Sequence, residues 1–493
     1  MITRIKINGF KSLVGNEIFL GPFTCIAGAN ASGKSNFFDA LAFLSNLADK
    51  TIVEAAKSVR SENQKHSDIR DIFFRSGQDY LPNMTFEIDM LVPKTGIDDL
   101  GQTANATVTS LRYLLDLKLN EEPENHEPVT IEREELFPLT QTDTKNHIFF
   151  NYKKEWIDSI LQGRRSTKIP FISTDGEKIK LHQDGSKGRT TEFIAKKMPR
   201  TLLSTVTAES PTAFLVRQEM RNWTMLQLEP SALRQPNSIY EVKNAEITAN
   251  GLNMPATLFR LNLGKTEKDV YQLLTNKLKG LVEDVADIFV DKDEKRDLLT
   301  LQVKFKNGLI LPAQSLSDGT LRFLALTIIE EDSFGSRLIC LEEPENGINP
   351  KKIHEIVALL VDMATDTGFE VDEDNPLRQV IINTHSPIVV SAVHPESLYL
   401  VKNKEIFNTI FNRKISRTDF SALAKTWKTN YNLTGTTSLG EISAYLDNTN
   451  VEIADVNIIN EGEAGYQNQR IKTRQQNTVA GHVQQLQFDF DNL

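Results

Sequence analysis

Residues 28–35, Gly28-Ala29-Asn30-Ala31-Ser32-Gly33-Lys34-Ser35, satisfy the pattern G-x-x-x-x-G-K-[ST] at every fixed position. That spacing serves one kind of chemistry, the cradling of a phosphate chain. Gly28 and Gly33 admit backbone geometries and close approaches that a Cβ hinders. The N–H groups at the start of a following helix face the anion. Lys34 then reaches the β- and γ-phosphates, and the Ser35 hydroxyl is placed to hold Mg²⁺. Much further along the chain, Glu342 and Glu343 stand together at the end of an apolar run. A Mg-nucleotide site needs one carboxylate at the metal and one to orient water. Adjacent strand residues point to opposite sides, so we assign Glu342 to the metal and Glu343 to the attacking water. His385 ends a third apolar run and is either an ordinary structural histidine or a hydrogen-bond partner of the γ-phosphate. Ser317 and Gly319 open an apolar helix, as a plain N-cap or as a second anion-binding helix start.

The flanking elements fit these assignments. Phe23–Ala27 is short, apolar and partly β-branched, the pattern of a buried strand, and Phe37, Phe38, Leu41, Leu44 and Leu47 follow at helical spacing. Arg337–Leu341 and Val380–Asn383 are also expected to be buried strands, with a helix over 351–364 between them. Strands are expected at Met1–Ile7, Ile18–Leu20, Met84–Val92, Leu111–Leu119 and Leu298–Phe305, and helices at Ile52–Val59, Pro211–Met225 and Thr266–Val282, the last capped by Thr266. Gln227–Arg234 is expected to be an extended connector. No sustained heptad of apolar positions marks a coiled-coil arm.

At 493 residues, with 40% hydrophobic and 25% charged residues, the chain has the make-up of a globular protein of two or more domains. It contains no apolar run of about 18 residues, so no membrane span is expected. Its two cysteines, Cys25 and Cys340, lie in strand-like runs and are expected to be buried free thiols, which fits a cytoplasmic location. The net charge of −10 argues against a generally sticky nucleic-acid binder. Residues 151–200 depart from it, with 12 Lys/Arg against 6 Asp/Glu. That stretch, including Arg164, Arg165, Lys168, Lys196 and Lys197, is either a solvated lysine-rich insertion or a face for DNA or an acidic partner.

Taken together, these motifs resemble the ABC-type ATPases of the SMC, RecF and OLD branch. Gly9-Phe10-Lys11-Ser12 is similar to the GFKS of SMC heads, Gly28 to Asn36 to their Walker A, and Ser317-Asp318-Gly319 to the branch's signature motif. Glu342-Glu343-Pro344-Glu345 resembles Walker B, the EEPENGINP run the D-loop, and Thr384-His385-Ser386-Pro387 the switch-histidine motif. The resemblance implies an α/β P-loop NTPase fold, a mixed sheet flanked by helices, with Lys11, Ser12 and Asn36 also at the nucleotide. It implies ATP and Mg²⁺ as cofactors and ATP clamped between two protomers, with Ser317 and Gly319 supplied in trans, hence a homodimer or higher homo-oligomer. Family order puts a Q-loop glutamine near Thr201–Thr207, where no glutamine occurs. The nuclease module of OLD proteins has no counterpart in the residues after 400. The resemblance therefore points to the nuclease-free OLD-like ATPases of anti-phage systems such as Septu and PARIS, whose effector is a separate protein. A DNA-repair ATPase of the RecF or SMC kind is the alternative, and a transporter's nucleotide-binding subunit a third. The expected divisions are an ATPase lobe at 1–120, a basic insertion at 121–205, the rest of the ATPase at 206–400, a small cap at 401–460 and a mobile tail at 461–493.

Overall fold

The computed structural model describes residues 1–59, 68–120, 127–163, 169–184, 190–264, 269–333, 335, 337–438 and 440–442. Its centre is a seven-stranded sheet in the order Trp223–Leu226, Leu338–Glu342, Gln379–Thr384, Phe23–Ala27, Leu398–Asn408, Arg413–Leu423 and Gly435–Thr437. The first five strands are mutually parallel, and the fifth and sixth form a long antiparallel hairpin. Parallel strands need cover on both faces, and the apolar runs of the sequence supply side chains for both. Along Leu338–Leu341, Leu338 and Cys340 enter one hydrophobic cluster, while Ile339 and Leu341 enter the other. Strand pleating therefore divides one apolar run between two cores.

The first core lies against the helix Lys34–Leu47 and an eight-stranded antiparallel sheet. The second is built by the helices Met254–Gly264, Val270–Leu281, Asp318–Glu331 and Ile353–Asp362, with a smaller antiparallel sheet around Val285–Asp293 and Leu298–Phe305. Cys25 and Cys340 are buried free thiols, as expected. Among the described residues no helix is long and apolar enough to cross a membrane.

Several local expectations change. Helix Pro211–Arg221 stops earlier than the pattern suggested, and Trp223–Leu226 is an edge strand parallel to Leu338–Glu342. The apolar residues of 223–226 fit either state by periodicity, and their place beside a parallel strand decides it. Gln227–Arg234 is not wholly extended, because Pro230–Leu233 makes one helical turn. The helix expected from Thr266 is Val270–Leu281, capped by Asp269, whose carboxylate accepts the Gln272 N–H. Residues 265–268 lie outside the described residues.

The basic stretch is part of the antiparallel sheet. Val129–Pro138 pairs with Ser110–Leu119, and Ile172–Asp175, Lys178–Leu181 and Thr191–Ile194 extend the same sheet to its edge. Three of its lysines are compensated locally: Lys178–Glu192, Lys180–Asp175 and Lys196–Glu177 are each 2.8 Å ion pairs. Arg164, Arg165 and Lys168 lie outside the described residues, as does the 461–493 tail.

Candidate nucleotide site

The loop 28–33 leaves the carboxyl end of strand Phe23–Ala27 and enters the helix Lys34–Leu47. Gly33 holds the turn at φ 95°, a region that favours glycine. The helix has no side-chain cap and no acidic residue in its first turn. No N-cap side chain therefore occupies the start of this helix, which fits an anionic ligand. Gly28, Ser32 and Lys34 are buried, while Ala29, Asn30 and Ala31 form the exposed crest. The Ser32 hydroxyl is buried with no hydrogen-bond partner inside the loop. The Lys34 ammonium is folded onto the loop, donating to the Gly28 carbonyl at 2.7 Å and the Ala29 carbonyl at 2.8 Å. Burial pulls its pKa below the ordinary lysine value, and Glu343, Glu345 and Glu342 oppose that shift with their negative charge.

Parallel register gathers the other groups at the same edge. Thr384 pairs with Ala27, and Asn383 with Glu342, so strand ends deliver His385 and both glutamates beside the loop. Glu342 ends its strand and accepts the Asn383 side-chain N–H at 3.2 Å. Glu343 lies beyond the strand at φ 47°, its N–H donating to the Asn383 carbonyl at 2.9 Å. The two carboxylates thus take different partners across a left-handed break in the chain, whereas strand alternation was expected to separate them. Both Glu343 oxygens have partners: Oε1 lies 2.9 Å from His385 Nδ1, and Oε2 accepts from Asn346 Nδ2 at 2.7 Å. His385 has a side chain 44% exposed, so it is no buried core histidine.

Ser35 and Glu342 offer a hydroxyl and a carboxylate, the oxygen donors that suit Mg²⁺ held together with phosphates. Among the described residues no group of three or more His, Cys, Asp or Glu is placed to hold a metal unaided.

The remaining expected residues are placed as follows. Lys11 pairs with Asp39 of the loop helix at 2.8 Å. Ser12 Oγ accepts the Asn36 side-chain N–H at 2.6 Å. Ser317 is exposed and caps its own helix, accepting the Thr320 N–H. The close approach that Gly319 permits is to the carbonyl of Gly347 in the same chain. Arg322 of that helix donates to the Asn346 carbonyl at 2.5 Å, tying the helix to the turn that holds Glu343.

Two residues were missed as candidates. Glu345 Oε1 accepts the Thr384 hydroxyl at 2.6 Å, its other oxygen is buried without a partner, and burial raises its pKa. Gln227 is exposed at the carboxyl end of the strand beside Leu338–Glu342. Only the pairing of 223–226 reveals it; the expected location, Thr201–Thr207, instead docks on the antiparallel sheet, where the Leu202 and Leu203 N–H groups bond Glu134.

A phosphate loop, two strand-end carboxylates and a strand-end histidine gather at one end of a parallel sheet, in a P-loop ATPase fold. The chain belongs to the family described as AAA domain, putative AbiEii toxin, Type IV TA system, whose model matches residues 23–391. Structural maintenance of chromosomes protein 4 from Mus musculus is 36% identical over 104 residues, covering 18% of this chain and 8% of that protein. The Homo sapiens protein gives the same identity and coverage. This chain therefore spans only a small part of the length of the curated relatives it matches. Among solved structures, the SmcHead bound to the C-winged helix domain of ScpA aligns with a TM-score of 0.45 at 12% identity, over 86% of this chain and 98% of that one. The SMC head domain from Thermotoga maritima gives 0.34 at 12% identity, over 85% and 97%.

Proposed function

We propose that this protein binds and hydrolyses Mg-ATP and uses the cycle to sense or restrain a separate effector, a nuclease by analogy, in anti-phage defence. The observation that carries the ATPase part is the convergence of Lys34, Glu342, Glu343 and His385 on one sheet edge. The family's description as a putative toxin of a toxin–antitoxin system supports a defence context. In this reading the loop amides and Lys34 bind the β- and γ-phosphates, Lys34 leaving the loop carbonyls to do so. Lys11, Ser12 and Asn36 line the same nucleotide site. Ser35 and Glu342 would hold Mg²⁺, which would neutralise phosphate charge. Glu343 orients the attacking water and takes its proton, while His385 contacts the γ-phosphate and steadies Glu343. A cytoplasmic location follows from this role.

Equilibrium ATP binding and phosphate release, compared between the wild type and Lys34→Ala, test the core of this reading. Loss of both in the variant is expected, because a charge-assisted phosphate contact disappears. Near wild-type turnover in Lys34→Ala would remove the basis of the assignment. DNA binding measured with and without ATP separates the effector role from direct action on DNA: ATP-dependent DNA affinity without any co-purifying partner would favour the repair-type ATPase.

A further inference from the structure

The hairpin formed by Leu398–Asn408 and Arg413–Leu423 follows the segment matched by the family model, residues 23–391. It lies directly against the back of the phosphate loop. A Cβ on Gly28 would collide with the Val401 carbonyl, and one on Gly33 with the Thr418 hydroxyl. Both pattern glycines are therefore required by the hairpin's approach, independently of any ligand. Thr418 is fully buried at this contact. Its N–H donates to the Ser12 carbonyl at 3.0 Å, and its hydroxyl lies 2.6 Å from Ser12 Oγ and 3.3 Å from the Ser32 carbonyl.

The chemistry of these groups fixes the direction of the bonds. The Asn36 amide nitrogen is only a donor and the Ser32 carbonyl only an acceptor, and each hydroxyl has one proton to give. Asn36 therefore donates to Ser12, Ser12 to Thr418, and Thr418 to Ser32. One chain of hydrogen bonds joins the start of the phosphate helix, the GFKS turn, the hairpin and the loop.

We propose that Thr418 is a positioning residue for nucleotide binding: it fixes the curvature of the phosphate loop from behind, so that the loop's N–H groups are pre-aligned for the β- and γ-phosphates. The inference rests on the proposed ATP site. Pre-alignment acts on affinity, since a loop that must be ordered by the ligand spends binding energy on that ordering.

The test compares wild type, Thr418→Val and Thr418→Ser in the full chain, with Mg-ATP and Mg-ADP as probes in equilibrium binding and steady-state hydrolysis. Thr418→Val keeps the shape and removes the hydroxyl, so Kd and KM should rise by about five- to tenfold, with kcat at saturation little changed. Thr418→Ser restores the hydroxyl and should recover most of the affinity, which a general loss of packing does not explain. If Thr418→Val does not fold, Thr418→Ala removes the same hydroxyl and carries the comparison. Wild-type affinity in the hydroxyl-less variant, or a serine variant as weak as the valine one, overturns the proposal. Failure of wild-type protein to bind nucleotide in a Lys34-dependent way would instead defeat the ATPase reading itself.

Discussion

At the scale of the residue, Glu343 is the side chain whose surroundings most constrain its role. One oxygen faces His385 Nδ1 at 2.9 Å and the other accepts from Asn346 at 2.7 Å. A carboxylate pinned at both oxygens is oriented before any substrate arrives, which is what a water-positioning base needs. Glu343→Gln should therefore keep ATP bound while slowing hydrolysis by about 10²-fold or more, read in single-turnover experiments. Glu342→Gln should instead raise the Mg²⁺ concentration needed for tight binding, read in a metal titration. Identical behaviour of the two variants would end the division of labour. Much of this was legible in the sequence, because the phosphate loop and the glutamate pair are contiguous motifs. The backbone break between the glutamates was not, since a positive φ at a glutamate follows from no propensity. Nor was the bond from Thr384 to Glu345, which joins residues 39 positions apart and exists only once two parallel strands are in register.

Among the elements, strands buried on both faces were read well and edge elements were not. Phe23–Ala27 and Gln379–Thr384 are apolar on both faces, so any sheet holding them places their ends together. Trp223–Leu226 is a strand only by virtue of the neighbour it pairs with, and the missed Gln227 follows from that. The antiparallel sheet contains a second feature that composition hides: Glu134 is fully buried, and burial raises its pKa to about 7. Three hydrogen bonds, from the Leu202 and Leu203 N–H groups and the Tyr113 hydroxyl, pull the other way. A carboxyl whose folded pKa exceeds its unfolded value of about 4.3 holds its proton longer in the folded state. Its contribution to stability is fully present below the unfolded value and is lost as pH rises towards about 7. Glu134→Gln lacks that titration. Thermal unfolding of the wild type and the variant from pH 4.5 to 7.5 should thus show the wild type's margin over the variant shrinking as pH rises. A constant margin across the range would show that Glu134 does not titrate there.

For the whole molecule, the question is how many copies make one site. Ser317 stands exposed at the start of its helix, and Arg322 and Gly319 anchor that helix start to the turn after Glu343. The helix start is therefore held on the surface at a set position relative to Glu343, an arrangement suited to meeting a partner's phosphates while reporting to its own carboxylate. We expect ATP to sit between two protomers, with Lys34, Ser35, Glu342, Glu343 and His385 from one and Ser317 from the other. Lys34→Ala protein and Ser317→Arg protein should each be inactive alone. In a mixed dimer one interface collects both lesions and the other neither, so mixing should restore activity towards one intact site per dimer. Random pairing of equal amounts makes about half the dimers mixed, and each of those keeps one of two sites, so recovery should approach about a quarter of the wild-type rate if the sites act independently. Light scattering with and without ATP supplies the second reading, a shift to at least the dimer on nucleotide addition. A mixture that stays inactive although mixed dimers demonstrably form would refute the independent two-site version. An ATP-bound monomer that hydrolyses at the wild-type rate would refute the shared site altogether, because Ser317 would then have no phosphate to meet.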